Sequence, residues 1–420
     1  MQTQSLNSLN EEAILAMAHG ADGSILAAGY TTSDSTRKDF AIMRFLSNGQ
    51  LDPAFGNAQT PGKVVTPVEF GNFIHDDVIH HIFVQQSGKI VVLGGSNLNT
   101  TGDAHNFVAI RYSVNGTVDS TFGTSGLTLT HFGPYNNVWA HAALSFKDDK
   151  FIIAGASGGS GGNCGYYSGI GLAKYLEDGA LDSSFGQNGI FQDCINVSNL
   201  NPRIFAIDLQ PSDGKLVLAG CSYSHYDTCG NAWGSTFVGA RFHSNGTLDT
   251  SFGNNGVINA TLGFPSGLGM RAVRVQSDGK LLMAGRNNAI AGASEIILAR
   301  FAPDGKTLDT TFGQAGLLMT QVYSKGSRRI GIDLEGGTDK ILITGSASPA
   351  GGLAVARYLS SGSLDSTFGT NGIVQISVPE TTDSSGLFLL QDASNPVFYV
   401  GGQAQLPNNS SDFEILRFIK

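Results

Sequence analysis

The chain has 420 residues, of which only 14% are charged and 56 are glycine, and its formal net charge is −9 at pH 7. Charged residues make up about 25% of an ordinary globular protein, so this composition describes short strands and many turns. The acidic balance opposes a nucleic-acid or anionic-membrane partner, since both need a basic face, and no apolar run reaches the roughly 20 residues of a membrane helix.

The chain opens on a short polar β-like stretch, Met1-Gln2-Thr3-Gln4, without the basic-then-apolar profile of a signal peptide. Units of one design follow, and the fourth shows the order. An apolar segment, Ile204 to Gln210, leads to a Ser212-Asp213-Gly214 turn, and Asp-Gly between apolar runs is a strong hairpin signal. Lys215 to Gly220 is a nearly continuous apolar run, as expected of a strand buried on both faces. A variable loop precedes a third strand, Phe237 to Phe242, then a Leu248-Asp249-x-x-Phe252-Gly253 turn and a more polar fourth strand from Gly256.

The Leu-Asp-x-x-Phe-Gly phrase recurs at Asp52/Phe55, Asp119/Phe122, Asp182/Phe185, Asp309/Phe312 and Asp365/Phe368, and successive aspartates lie 56 to 67 residues apart. A repeat on this scale signals an array or a propeller. Second strands are expected near Ser24, Lys89, Lys150, Lys215, Lys280, Lys340 and Pro396, and third strands end on a basic-aromatic pair from Arg44-Phe45 to Arg417-Phe418, which counts seven units. The seventh lacks the turn and a fourth strand, while the N-terminal stretch is a strand without a unit. The expected fold is therefore all-β: a single seven-bladed β-propeller over residues 1–420, with four-stranded antiparallel blades and the N-terminal strand completing the last one. A linear β-solenoid is the alternative, but it would need capping units.

The phrases Asp-Gly-Lys-(apolar)-Ala-Gly, Ala-Arg-Phe/Tyr and Asp/Asn-Gly-x-Leu-Asp-x-x-Phe-Gly-x-x-Gly resemble the delta-60 repeat, a β-propeller repeat of bacterial proteins. The resemblance spans nearly the whole chain and implies the fold, and it carries little about activity. Lys174 in place of arginine and Ser361 in place of Asp/Asn depart from the pattern.

A residue that every blade carries is expected to be one that every blade needs. The repeated aspartates suit Asx-turns, the phenylalanines suit burial between blades, the glycines suit left-handed turns, and the strand-three arginines suit pairing with those aspartates or with carbonyls of the next blade. Calcium at these turns is disfavoured, because calcium takes six to eight oxygens and each turn offers one carboxylate.

Function is expected where blades differ, in the loops between strands two and three and from strand four into the next blade. All four cysteines map there, and disulfides Cys164–Cys194 and Cys221–Cys229 are expected, with four free thiols or another pairing as alternatives. A zinc site is disfavoured by the missing Cys-x2-Cys spacing. Exposed aromatics beside polar groups suit recognition of a sugar or a protein, and Tyr135, Trp139, Tyr166, Tyr167, Tyr223, Tyr226 and Trp233 lie in these segments. At the strand-four-to-one passage, blades one and two offer Glu11, Glu12, His75, Asp76 and Asp77, with Asp103 and His105 nearby; blades four to six offer Arg203, Arg271, Arg328 and Arg329. The arginines suit an anionic group. His75, Asp76 and His105 suit a divalent metal or acid–base work, against the plain reading that acidic proteins carry such residues on surface loops.

No Gly-Lys-Ser/Thr phosphate loop or Gly-x-Ser-x-Gly elbow is present. The leading expectation is a noncatalytic binding propeller for a protein or glycan, extracellular or cell-surface with the cytoplasm as the alternative, monomeric and without cofactor. A metal-dependent lyase or hydrolase at the channel mouth and a purely architectural module are the rivals, since one propeller scaffold hosts many functions.

Overall fold

The computed structural model describes residues 2–4, 12–32, 38–67, 77–97, 105–132, 137–158, 169–193, 201–223, 236–260, 262, 268–287, 294–324, 330–348, 351–376, 383–391, 397–405 and 411–419. Every regular element among them is a strand, and the protein is a seven-bladed β-propeller of mostly four-stranded antiparallel blades. Blade 1 is Glu12–His19, Ile25–Thr32, Lys38–Phe45 and Lys63–Thr66, with a small hairpin, Gly56–Asn57 and Thr60–Pro61, on its last strand. Blade 2 is Asp77–Val84, Ile90–Asn97, His105–Tyr112 and Leu127–Thr130; blade 3 is Asn137–Ser145, Phe151–Gly158, Gly169–Tyr175 and Ile190–Asp193. Blade 4 is Asn201–Leu209, Leu216–Tyr223, Thr236–Phe242 and Val257–Ala260; blade 5 is Leu268–Val275, Leu281–Asn287, Ser294–Phe301 and Leu317–Ser324. Blade 6 is Gly331–Glu335, Lys340–Ser348, Gly351–Tyr358 and Ile373–Ile376, joined to blade 5 in one sheet by a Tyr323–Ser346 bridge.

The seventh sheet is Asp383–Gln391, Val397–Gln405, Ser411–Ile419 and, at its edge, Gln2–Gln4. Gln2, Thr3 and Gln4 pair antiparallel with Ile415, Glu414 and Phe413. The N-terminal strand thus covers an edge that would otherwise offer unpaired backbone groups. By its internal contacts the chain divides into two units, one holding blades 1 to 3 and the other blades 4 to 6, with the strands of blade 7 shared between them.

The aliphatic second and third strands are buried on both faces, as Ile25–Thr32 shows, because sheets pack against them from both sides. In the first unit Phe40, Phe55, Ile79, Val92 and Tyr112 form one core cluster. Phe107, Phe122, Phe151 and Tyr175 form another. Third strands end on tyrosine where a hydroxyl has a partner: Tyr112 Oη donates to Thr66 Oγ1 at 2.9 Å and Tyr175 Oη to Thr130 Oγ1 at 2.6 Å. In the second unit Phe237, Phe252 and Phe301 share a cluster, and Phe312 and Tyr358 share the next.

The repeated turn is a joint between blades. Oδ1 of Asp52, Asp119, Asp182, Asp249, Asp309 and Asp365 accepts the backbone N–H two residues on at 3.0–3.1 Å, the Asx-turn read from the sequence. Oδ2 faces cations: Arg111, Arg241 and Arg357 Nε lie 2.8–2.9 Å from Asp119, Asp249 and Asp365. Lys89, Lys215 and Lys340 Nζ join them at 2.8–3.1 Å. Three arginines also reach the next blade, with Nη1 donating to Val114 O from Arg44, Glu177 O from Arg111 and Pro303 O from Arg241 at 2.7–2.9 Å. The backbone does the same: Gly56, Gly123, Gly253 and Gly313 N–H donate to the carbonyls of Asn115, Asp178, Asp304 and Ser361. Ser361 keeps the bond because the contact needs only its carbonyl.

Phe55, Phe122, Phe252 and Phe312 lie under the turn glycines of the next blade, Gly116, Gly179, Gly305 and Gly362. A Cβ on Gly305 would sit 2.4 Å from the Phe252 ring, and its φ of +70° is a left-handed angle that glycine alone adopts readily. The arginines also lie over these rings, Arg241 at 4.5 Å from the Phe252 centroid and Arg111 at 4.9 Å from that of Phe122. Lys174, the departure from arginine, stands 5.4 Å from the Phe146 ring and 5.9 Å from that of Phe185.

Candidate functional site

With the repeated charges bound to one another, the side chains that differ between blades define the candidate site, and many stand on first strands. In blades 1 to 5 the first strand slips by one residue against the second, at Leu15, His80, His141, Phe205 and Arg271. A β-bulge bends the strand and re-aims the side chain at the extra residue. The bulge explains the glycine of the Ala-Gly phrase. A Cβ on Gly29, Gly94, Gly155 or Gly220 would lie 1.8–2.2 Å from the carbonyl oxygen of Ala13, Val78, Trp139 or Arg203, all on the first strand opposite.

The bulged positions carry unlike side chains that meet their neighbours. The rings of His80 and His141, in blades 2 and 3, approach to 6.2 Å between centroids at 62°. In the other unit the Arg271 guanidinium lies 3.9 Å from the Phe205 ring centroid, and Arg271 is buried. Before the bulges of blades 1 and 2 stand two buried carboxylates, Glu12 and Asp77, and Glu12 Oε1 accepts the Thr31 hydroxyl at 3.3 Å. Further along the first strands, blades 4, 5 and 6 supply a row of charges, Asp208, Arg274 and Asp333. Arg274 Nε donates to Asp333 Oδ1 at 3.1 Å, and Asp208 accepts Val275 N–H at 2.8 Å and Leu209 N–H at 2.9 Å. Burial pushes the Asp208 carboxyl above the usual range, an effect that Arg274 opposes.

Of the residues singled out in the sequence, Trp139 and Arg203 are half-buried on the first strands of blades 3 and 4. Arg271 is on the first strand of blade 5, and Asp77 opens that of blade 2. His105 begins the third strand of blade 2 and Tyr223 ends the second strand of blade 4, with side chains outside the described residues. His75, Asp76, Tyr166, Tyr167, Tyr226, Trp233, Arg328 and Arg329 also lie outside the described residues, as do Cys164, Cys194 and Cys229. Cys221 is wholly buried on the second strand of blade 4 beside Phe205, and no cysteine among the described residues is a free thiol. Among the described residues no three His, Cys, Asp or Glu side chains are grouped to hold a metal.

Sequence reading did not find His80, Phe205, Asp208, Arg274 and Asp333 as site residues. The available signal was their register: each can be placed by counting along the first strand from the residue opposite the Ala-Gly glycine.

These features define the class as a β-propeller built from a repeat with a Leu-Asp-x-x-Phe-Gly joint. Residues 20–55, 85–122, 212–252, 276–312 and 338–368 match the family described as "Domain of unknown function (DUF5122) beta-propeller". No curated protein matches the sequence. Among solved structures, a protein of unknown function from Dyadobacter fermentans DSM 18053 is similar at 10% identity over 100% of this chain and 97% of that one, with a TM-score of 0.48. The polysaccharide lyase Uly1 is similar at 10% identity over 96% of this chain and 89% of that one, with a TM-score of 0.50. Penicillium chrysogenum alpha-L-arabinanase complexed with arabinobiose is similar at 13% identity over 80% and 91%, with a TM-score of 0.45. At these identities the likeness shows the fold alone.

Proposed function

We propose that this protein is a noncatalytic recognition propeller, a single domain over residues 1–420, that binds a glycan or a protein through the side chains that differ between blades. The observation that carries the reading is the division of labour among charges. The repeated aspartates, arginines and lysines are bound to one another within each blade and the arginines reach carbonyls of the next, while unlike aromatic and polar side chains stand on first strands, Trp139 and His141 in one unit and Arg203, Phe205 and Arg271 in the other. In one unit the Phe205 ring beside the Arg271 guanidinium, and in the other Trp139 and the His141 imidazole on one strand, suit a sugar ring or a polar peptide. Tyr166, Tyr167, Tyr223, Tyr226 and Trp233 extend that surface in this reading, with disulfides Cys164–Cys194 and Cys221–Cys229 holding the loops. Such disulfides would suit a protein outside the reducing cytosol, at the cell surface or beyond it, and the reading takes it as a monomer. The delta-60 repeat is the finer family assignment that goes with this reading. An immobilised glycan and peptide panel tests it: the wild-type protein should bind a defined subset, and Trp139→Ala and Arg203→Ala should weaken that binding at least tenfold. Wild-type binding to none of the panel counts against the proposal.

The second reading is a metal-dependent lyase or hydrolase using His75, Asp76 and His105. Buried Asp77 stands on the same first strand as His80, whose ring approaches that of His141, and this favours it, because acid–base work uses titratable groups of this kind. Elemental analysis of the purified protein decides: a stoichiometric divalent ion that is lost in His75→Ala supports the enzyme.

A further inference from the structure

Blade 1 breaks the repeat at one place, and the break leaves a hole. In blades 2, 4 and 5 the first strand is followed at once by Gln85, Gln210 and Gln276, all buried. The hairpin hydrogen bonds align these with Gly20: Gly20 N–H donates to Ser24 O as Gln85 N–H donates to Lys89 O, Gln210 N–H to Lys215 O and Gln276 N–H to Lys280 O. Blade 1 therefore has glycine in place of glutamine and Ser24 in place of lysine.

The glutamine has a defined task elsewhere. Gln85 Oε1 accepts from Arg111 Nη1 at 3.3 Å while its Nε2 donates to the Glu177 carbonyl of the next blade at 2.9 Å. Gln210 Oε1 accepts from Arg241 Nη1 at 3.3 Å in the same way. In blade 1 the equivalent Arg44 Nη1 donates to Val114 O at 2.7 Å, as its counterparts do to the next blade, but no glutamine stands beside it. The Ser24 hydroxyl and Asp22 carboxylate fill the start of the missing side chain, 2.1 and 2.8 Å from where a Cβ on Gly20 would sit, and beyond them opens a cavity of about 260 Å3 with Arg44, Asp22 and Ser24 on one side and Leu26, Val84, Ile90 and Val114 around it.

We propose that this cavity is a binding subsite for a carboxamide group, and that its source is the acetamido group of an N-acetylated amino sugar. The missing glutamine is the template: an amide oxygen accepts from Arg44 Nη1, and an amide N–H donates toward the blade 2 carbonyl, as Gln85 does in blade 2. The four aliphatic walls suit the acetyl methyl. Arg44 and Asp22 are joined at 2.5 Å, Arg44 Nε stands 3.3 Å from Asp52 Oδ2, and hydrogen bonds from Ser24 lead the effects that keep the Asp22 carboxyl below the usual range, so the polar wall sets one guanidinium between two carboxylates. A neutral amide fits beside it better than a carboxylate next to Asp22 or an ammonium next to Arg44. Whole-ligand pockets run to roughly 300–1,000 Å3, so this smaller one holds a substituent and leaves the sugar ring toward solvent, where Asp22 is 55% exposed. The site lies at the strand-one-to-two turn, at the other end of the strands from the variable loops, and so goes beyond the reading above.

Saturation-transfer NMR on the full chain with N-acetylglucosamine tests it. Transfer to the acetyl methyl is expected, with none to glucosamine or glucose. Gly20→Gln combined with Ser24→Lys rebuilds the blade 2 arrangement, and should cut that transfer at least tenfold with an unchanged circular dichroism spectrum. A second variant, Ala21→Trp, blocks the rim from an exposed turn position and should do the same. Equal transfer to glucose, transfer undiminished in both folded variants, or a response to a glutamine peptide with none to N-acetylglucosamine overturns the proposal.

Discussion

Arg241 Nε lies 2.8 Å from Asp249 Oδ2, with the two side chains only 7% and 3% exposed. The same arginine donates to the Pro303 carbonyl of the next blade, and the same aspartate caps its own turn through Ser251. One ion pair therefore ties a turn, a strand and a neighbouring blade together. Removing one partner of a buried pair leaves an uncompensated charge and costs about 3–5 kcal/mol. Asp249→Asn is expected to lose that much in chemical denaturation. Asp182→Asn should cost less, about 1.5–3 kcal/mol, because Lys174 and Lys150 stand 3.5 and 3.8 Å from Asp182. Equal costs at the two positions would remove the distinction.

Acid should loosen the ring. Burial alone would raise the Asp309 carboxyl; the Thr311 hydroxyl and N–H, then Arg300 and Lys280, outweigh it and bring it down to about 2. Asp119 is held below the usual carboxylate range chiefly by Lys89, and Asp365 by the Thr367 hydroxyl and Lys340. A folded pKa below the unfolded value of about 3.9 gives stability that is fully present above that value and is lost as pH falls through the folded pKa. The melting temperature should therefore hold above about pH 4 and fall steeply toward about pH 2. Asp309→Asn should flatten part of that fall, and a melting temperature independent of pH across this range would contradict the account.

Two glycines of blade 4 separate crowding from backbone angle. Gly220→Ala places a methyl 1.8 Å from the Arg203 carbonyl and must shift the bulge, whereas Gly214→Ala meets nothing within 4 Å but stands at φ +70°. The second should cost about 1–2 kcal/mol, and the first should cost more or abolish folding. Thermal denaturation of the pair checks the order.

Deleting residues 1–4 uncovers Ser411–Ile419, which Gln2–Gln4 otherwise pairs. An open edge invites pairing with another chain, so the shortened protein should melt earlier and associate in light scattering. A monomer of unchanged melting temperature would show the clasp to be dispensable.

The blades were legible because Asp249, Phe252 and Gly253 sit in a phrase that returns with its hairpin and strand signals intact. The N-terminal strand was legible because the last unit lacked its fourth. The contact of His80 with His141 was not. Its register depends on a bulge, and a bulge leaves no mark in the sequence beyond the glycine opposite, which also reads as a plain turn residue. The cavity beneath Arg44 was hidden for a related reason. Gly20 and Ser24 look unremarkable until the hairpin bonds align them with Gln85 and Lys89. Lys174, seen as a departure from arginine, proved to stand near Phe146 at a position where other blades carry glutamine.

The central claim is that the repeated residues hold the ring while the unlike ones recognise a ligand. Binding of Asp249→Asn and Trp139→Ala to the same immobilised glycan and peptide panel, below the melting temperature of both, tests it most directly. The account predicts that Asp249→Asn keeps the wild-type binding profile within about twofold despite its lost stability, and that Trp139→Ala loses affinity at least tenfold. A folded Asp249→Asn protein that has lost the profile, beside a Trp139→Ala protein that keeps it, would contradict the claim.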